Sequence, residues 1–481
     1  MLSLCLIFPV LTSSGSEPEA GAPKPRRFQV GAATSNITPR LGISINGHFS
    51  DRKAAHVHDE LHARCLVLDD GTNRLALVVC DSCMIPREVT DEAKAQIAKR
   101  VGLPPERVLI SATHTHTAPT CAGVFQSAPD LDYQEFLVHR ITDGVARAVR
   151  NLSPAQIGWG KGNEPNQVFN RRWRMKPGSV GPNPFGGTND QVRMNPAIES
   201  PDLVEPAGPI DPEIALVALR SPEGRPIALL ANYSLHYVGT GRDGDEISAD
   251  YYGLFANQVM RLLGAEHQDP PFVAILANGT SGDINNINFR KKRDPRAPYE
   301  QANLVAKAIA AEVHRVCQNL VYRDWVSLGS RHAEISLGVR RPDTKELARA
   351  RSILAAASGR ALRSPEEVYA HETVLLHEYP PSVPLVLQAI RIGDLGIAAI
   401  PCEVFVETGL AIKKESPFAQ TFTIELANGY NGYLPTPEHH RLGGYETWRA
   451  RSSYLETEAE PKVIKTLQEL FALLEAEIAE K

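Results

Sequence analysis

What most constrains this chain is a pattern that recurs along it: a short, wholly apolar run stopping abruptly in polar or titratable residues. Val79 gives way to Asp81, Ala112 to His114, Tyr233 to His236, Ala277 to Asn278 and Asp283, Ile400 to Glu403, and Leu426 to Tyr430. Undiluted runs of this length, bounded by turn residues, read as strands buried on both faces. Between them, Glu88–Arg100, Tyr133–Leu152, Asp250–Leu263 and Ala302–Leu320 carry helical periodicity, and Gly102 is well placed to stop the first. The alternation predicts βαβ units, hence an α/β fold: a mixed, largely parallel sheet flanked by helices, forming a single large domain over residues 28–481. In open α/β sheets ligands sit beyond the carboxyl ends of the strands. If these strands share a sheet, their polar ends converge on one rim.

The sharpest strand end is Val108–Pro119, V-L-I-S-A-T-H-T-H-T-A-P. The i, i+2 spacing puts the rings of His114 and His116 on one face if the backbone stays extended. Two imidazoles side by side cost desolvation unless something uses them, and two histidines with one carboxylate are a known zinc set that leaves a position open for water. Spacing does not choose the set, because the other candidates lie far away in sequence. Plainer roles stay open too: a hydrogen-bonded structural histidine, Glu403 capping a helix that starts near Val404, and Tyr430, Tyr433 and Tyr445 as ordinary core or surface residues.

Of the remaining chain, residues 160–212 stand apart as a long Gly-, Pro- and Asn-bearing loop, and loops of that length are usually functional or disordered. Asn170-Arg171-Arg172-Trp173-Arg174 within it reads either as a solvated basic turn or as a wall of the site, with an arginine fork for a carbonyl or anion. His56, His58 and His62 are expected in a solvated loop before the strand Ala63–Leu68. Further strands are expected around 326–340 and 421–426, a helix at 344–358, a hairpin over Pro384–Ile400 turning at Gly393-Asp394, and a last helix from about Pro461 to Glu480.

The formal net charge is −5, which implies no broad basic surface and gives no reason to expect nucleic acid. No apolar run approaches the roughly 20 residues that span a membrane. Leu2–Leu11 and the small residues after it look signal-like, but no Lys or Arg precedes the run. Residues 1–27 are therefore a signal-like or disordered N-terminus, and the compartment is secreted or periplasmic if the segment is a signal, cytoplasmic otherwise. The seven scattered cysteines do not form a disulfide framework. Cys80-Asp-Ser-Cys83 is read as small residues closing a buried strand rather than as a redox pair.

Several segments together resemble the neutral/alkaline ceramidase family: Ala112-Thr-His114-Thr-His116-Thr-Ala-Pro119, Gly282-Asp283-Ile-Asn285-Asn286, Thr436-Pro-Glu438 with Tyr445-Glu446, and the opening Val30-Gly-Ala-Ala to Asn36-Ile-Thr-Pro39. The resemblance runs from about residue 28 to about 450 and makes 28–481 a ceramidase-like catalytic domain. It implies a Zn2+ ion on His114, His236, Glu403 and Tyr445, with His116 close to the substrate carbonyl and Arg171 as the site arginine. It implies a small-molecule or lipid N-acyl amide as substrate. Two departures follow. The family's catalytic serine falls on Asn285, and the family continues into a C-terminal β-sandwich while this chain stops after its last helix.

The expectation is a zinc-dependent amide hydrolase using metal-activated water. His116 would move a proton, Tyr445 or Arg171 would steady the oxyanion, Asn285 would donate to substrate, and Asp283 would orient a zinc-bound histidine. Two alternatives remain: a lapsed enzyme that only binds, and a metal-dependent hydrolase of another ester class, to which Arg171, Arg172 and Arg174 could supply anion contacts. Oligomeric state is not legible.

Overall fold

A computed structural model describes residues 27–239 and 244–479; the signal-like N-terminus lies outside them. The chain builds three larger sheets, and each repeats one topology. The first contains β1 (Gln29–Asn36), β2 (His62–Asp69), β3 (Arg74–Cys80) and β4 (Val108–Ala112), with a two-residue strand, Ser153–Pro154, on its β1 edge. The second contains β5 (Gln156–Asn163), β6 (Glu213–Arg220), β7 (Pro226–Tyr233) and β8 (Val273–Asn278). The third contains β9 (Leu328–Gly338), β10 (Ser382–Ile392), β11 (Leu395–Ile400) and β12 (Gln420–Glu425). In every sheet the first three strands pair antiparallel, and only the third and fourth pair parallel.

The expectation of one largely parallel sheet is therefore corrected to a mixed α/β arrangement of three sheets. The reason lies in the connections. The second and third strands of each unit are joined by tight turns, at Asp70-Gly71, Gly224 and Gly393-Asp394, and such turns can only reverse the chain. In all three units a helix joins the third strand to the parallel fourth: α1 (Arg87–Val101), α3 (Asp250–Leu262) and α7 (Val406–Glu415). The expected hairpin at Gly393-Asp394 is present, with Gly393 at φ 63°.

Both faces of each sheet are covered, which is why the strands read as unbroken apolar runs. One face of all three packs into a shared centre, with Val30, Leu66 and Leu77 from the first, Val217, Leu230 and Ile275 from the second, and Ile390, Ile397 and Ile424 from the third. The other face of each meets helices. Those are α1 with α2 (Leu131–Arg150), α3 with α4 (Glu300–Cys317), and α7 with α8 (Ala459–Ala479). Gly102 ends α1 in the left-handed conformation and donates its N–H to Ala98, as expected of a helix stop.

Each unit also carries an insertion between its first and second strands: 37–61, 164–212 and 339–381. The second one contains order that its composition hid. Arg172–Met175 pairs with both Val192–Met194 and Leu203–Pro206, so the stretch expected to be an irregular loop holds a small sheet. The third holds the expected helix α5 (Thr344–Ala356) and an unexpected one, α6 (Pro365–His377), whose Ser364 and Glu367 form a capping box. Among the described residues no helix is long and apolar enough to cross a membrane.

Because the first strand runs parallel to the third and fourth, the insertions leave each sheet at the same end as the carboxyl termini of the parallel pair. The polar strand ends do meet, as the rim argument required, but at the junction of three sheets, one pair from each.

Candidate metal centre

The first unit contributes His114 and His116. The strand does not stay extended through them: His114 sits at φ 72°, a left-handed conformation that costs a non-glycine residue about 1 kcal/mol or more. Backbone ties hold the kink, since the N–H groups of Thr113 and His114 donate to Cys80 O (2.9 Å) and Ser82 O (2.9 Å) beyond β3. The kink, not strand alternation, turns the two rings together, edge to face at 4.9 Å. His114 Nδ1 donates to Cys83 O at 2.8 Å, which leaves its Nε2 lone pair facing inward. His116 lies against Gly47, where an added Cβ would stand 2.6 Å from the imidazole Cγ.

The second unit brings His236, three residues past β7. Its Nε2 lies 3.0 Å from His116 Nε2, which is itself 3.4 Å from His114 Nε2. The third unit brings Glu403, three residues past β11, with Oε2 3.2 Å from His114 Nε2. One ligand atom from each of His114, His236 and Glu403 lies within 4.8 Å of the others, so the three units each offer one group to a common point.

A divalent cation fits this point. Glu403 is buried, and Tyr430 donates to its Oε1 at 3.0 Å, yet its Oε2 has no hydrogen-bond partner. That oxygen faces His114 Nε2 at 3.2 Å, so the positive charge that meets it is either a proton on His114 or a cation in its place. Burial disfavours charge on His114, but the Glu403 carboxylate overrides this and lifts its pKa well above the imidazole range; a cation would take the place of that proton. His236 behaves differently. Arg171 Nη1 donates to its Nδ1 at 2.8 Å, so the neutral ring carries its proton on Nε2, and ligation there must release it. Burial, then the nearby positive groups, push His116 well below the ordinary imidazole value, leaving it neutral.

Arg171 is a hub rather than a free fork. Its Nε donates to Glu446 Oε1 (2.9 Å), and its Nη2 donates to Gly282 O (2.7 Å) and to the Tyr433 hydroxyl (3.0 Å). Arg172 is committed as well, to Glu446, Gly443 O and His439, while Arg174 lies partly exposed beside Glu205 and Glu438. The first two arginines are thus engaged inside the protein, and of the three named for the other-ester alternative only Arg174 is partly exposed.

Of the tyrosines, Tyr430 and Tyr433 are the ones that touch Glu403, Tyr433 also through the pairing of Glu403–Val404 with Tyr433–Leu434. Tyr445 stands one ring further out, 5.9 Å from Tyr433, and packs against Phe49 and Trp448. Asp283 makes no histidine contact. Its oxygens accept from Val406 N–H and from Asn170 Nδ2, and its carbonyl accepts from Arg171 N–H, so it anchors the arginine and the start of α7 instead of orienting a ligand. The Asn285 amide is engaged at both ends, donating to Asn195 Oδ1 (2.7 Å) and accepting from Ile287 N–H (2.9 Å). Ser281 donates to Glu425, so it too is occupied.

Glu425 and Gly47 escaped the sequence reading, and Glu446 entered it only as part of the Tyr445-Glu446 segment, with no role assigned. Glu425 ends β12 and accepts from Ser281, Asn278 and Val404 N–H, a position that the apolar-to-polar rule could have flagged. Glu446 and Gly47 carry no local signal.

The family described as neutral/alkaline non-lysosomal ceramidase, N-terminal, matches residues 28–292, just over half of the chain. Neutral ceramidase A of Dictyostelium discoideum is 22% identical over 275 residues, covering 54% of this chain and 36% of its own length. The neutral ceramidase of Mycobacterium tuberculosis is 23% identical over 267 residues, covering 52% and 39%. The match thus spans little more than a third of these relatives. The crystal structure of neutral ceramidase from Pseudomonas aeruginosa superposes with a TM-score of 0.71 at 18% identity, over 93% of this chain and 74% of that one, a likeness of fold.

Proposed function

We propose, from the premise that the chain belongs to the neutral/alkaline non-lysosomal ceramidase family, that it is a zinc-dependent hydrolase of an N-acyl amide bond. The observation that carries this is the convergence of one ligand atom each from buried His114, His236 and Glu403 within 4.8 Å of one another, where one cation would meet all three. The relatives and the superposed structure are ceramidases, which supports an amide substrate of lipid type.

When bound, the ion supplies Lewis acidity to the substrate carbonyl and lowers the pKa of a water from about 15.7 towards 7. The chain's own residues do the rest. Neutral His116 can accept a proton at Nε2 and return it to the departing amine. Tyr433, held by Arg171 and touching Glu403, is better placed than Tyr445 to be a fourth ligand, and Tyr445 beside it can donate to the developing oxyanion. An aromatic wall drawn from all three insertions, with Phe49, Phe185 and Tyr369 in edge contact, flanks His116 through Gly47 and His48 and would receive the acyl chain.

One observation favours the lapsed-enzyme reading: Asn285, Ser281 and Thr280 leave no free hydroxyl beside the Gly282-Asp283 turn. Zinc-loaded, chelated and Asn285→Ser proteins assayed on an N-dodecanoyl amide decide between them. Turnover by the zinc-loaded parent, abolished by chelation and restored by zinc, is expected. Undiminished turnover in a verified metal-free sample would overturn the proposal, and turnover only by the serine variant would favour the lapsed enzyme.

A further inference from the structure

An open cavity of about 890 Å³ is lined in part by Gly239 and Asn286, which follow the segments that carry His236 and Asn285. Its inner wall continues the strand ends that carry the site. Asn286 lines it and clasps Val238, accepting the Val238 N–H at 3.1 Å and donating to the Val238 carbonyl at 3.2 Å; Gly239, the next residue, lines it too. His236 precedes Val238 by two residues and Asn285 directly precedes Asn286, so the cavity wall and the metal centre share these two segments of chain.

The outer rim is strongly basic. Lys291, Lys292, Arg293 and Arg296 all line the cavity, with Asp294 the one carboxylate among the lining residues. Among the described residues, none of these four cations is engaged in a side-chain ion pair or hydrogen bond. Arg293 and Arg296 come close enough to affect Tyr237, the neighbour of His236. The amino end of α4 also opens here: Pro298, Tyr299 and Gln301 line the cavity, and no side chain caps the helix. The Glu300 N–H there donates to Ala297 O, and the Glu300 carboxylate accepts from Ala297 N–H, so the positive charge of the mouth comes from the four side chains. The chain as a whole has a formal net charge of −5, so the concentration of unpaired cations at this one mouth is a local departure that calls for an anion.

Resting on the hydrolase reading above, we infer that the substrate is an N-acyl amine whose amine half bears a sulfonate, phosphate or carboxylate. The cavity holds that anion while the acyl chain lies along the aromatic wall and the amide carbonyl faces the metal centre. The rim acts on binding of the charged half, not on the chemistry at the carbonyl.

The test compares N-dodecanoyltaurine with uncharged N-dodecanoylethanolamine, both below their micellar concentrations and without vesicles. The zinc-loaded parent is set beside the variant Lys291→Gln, Lys292→Gln, Arg293→Gln, Arg296→Gln. The variant should lose at least about tenfold in kcat/KM for the taurine amide, through KM, and change less than about twofold for the ethanolamide. Added salt should weaken only the taurine amide in the parent. Equal loss on both substrates, or loss on neither, would overturn the inference. So would a charge effect that emerges only when anionic vesicles are added, because the cations would then serve a bilayer surface. If the parent hydrolyses neither amide, the hydrolase reading is what fails; calorimetric titration with N-dodecanoyltaurine then still tests the cavity. Binding that the variant loses would support it, and no binding by the parent would refute it.

Discussion

His114 accepts a left-handed backbone so that its Nε2, and not its Nδ1, meets Glu403 Oε2. Three predictions belong at this scale. Glu403→Gln removes the charge that offsets the cation while keeping the shape, and should weaken zinc at least tenfold in a competition with a chromogenic chelator; unchanged affinity would remove Glu403 from the ligand set. Gly47→Ala places a Cβ against the His116 ring, at a position whose φ of 90° already suits glycine. It should lower kcat at least tenfold with zinc content unaltered, as read by metal analysis beside steady-state kinetics. Glu446→Gln leaves Arg171 and Arg172 buried without their shared carboxylate. Breaking a buried pair of this kind costs about 3 kcal/mol, to be read as a lower urea midpoint at constant slope. The histidine pair and Glu403 were legible in the sequence because each follows an apolar run. Glu446 was not, since its meaning depends on two arginines about 275 residues earlier in the chain.

At the scale of elements, helices and strands lie close to where periodicity put them, because burial on both faces gives strands an undiluted apolar signal and one-faced burial gives helices theirs. The insertion at 164–212 failed that reading because its strands are short and partly exposed, so they carry little periodicity. One helix also buries a charge. Lys94 on α1 is buried, and burial brings its pKa down to about 8 against the ordinary 10.5. A lysine whose folded pKa lies below its unfolded value penalises the fold wherever it is charged. That penalty is full below about pH 8 and fades as pH rises towards 10.5. Lys94→Met should therefore stabilise the protein by about 2 kcal/mol at pH 7 and by little at pH 10. Denaturant titrations at the two pH values check this, and an equal gain at both would mean that packing, not charge, is responsible.

At the scale of the whole molecule, three units of like topology each send one candidate ligand to a shared point: His114 from the first, His236 from the second, Glu403 from the third. An ion there ties the ends of all three sheets. At a free zinc concentration a thousandfold above its dissociation constant, it should add about 4 kcal/mol to stability. Calorimetry of zinc-loaded and chelated protein should show a clear fall in Tm on chelation, and no shift would mean that the folded state does not hold the ion. The sequence by itself determined most of the long buried strands and the amphipathic helices packed on them, and which residues stand at those strand ends, because hydrophobic periodicity is a local property of the chain. Only the tertiary structure decided that the strands divide among three sheets, that each sheet is mixed, and that distant strand ends close on one another. Those outcomes depend on turns that reverse the chain and on packing between units hundreds of residues apart, and no local pattern encodes them.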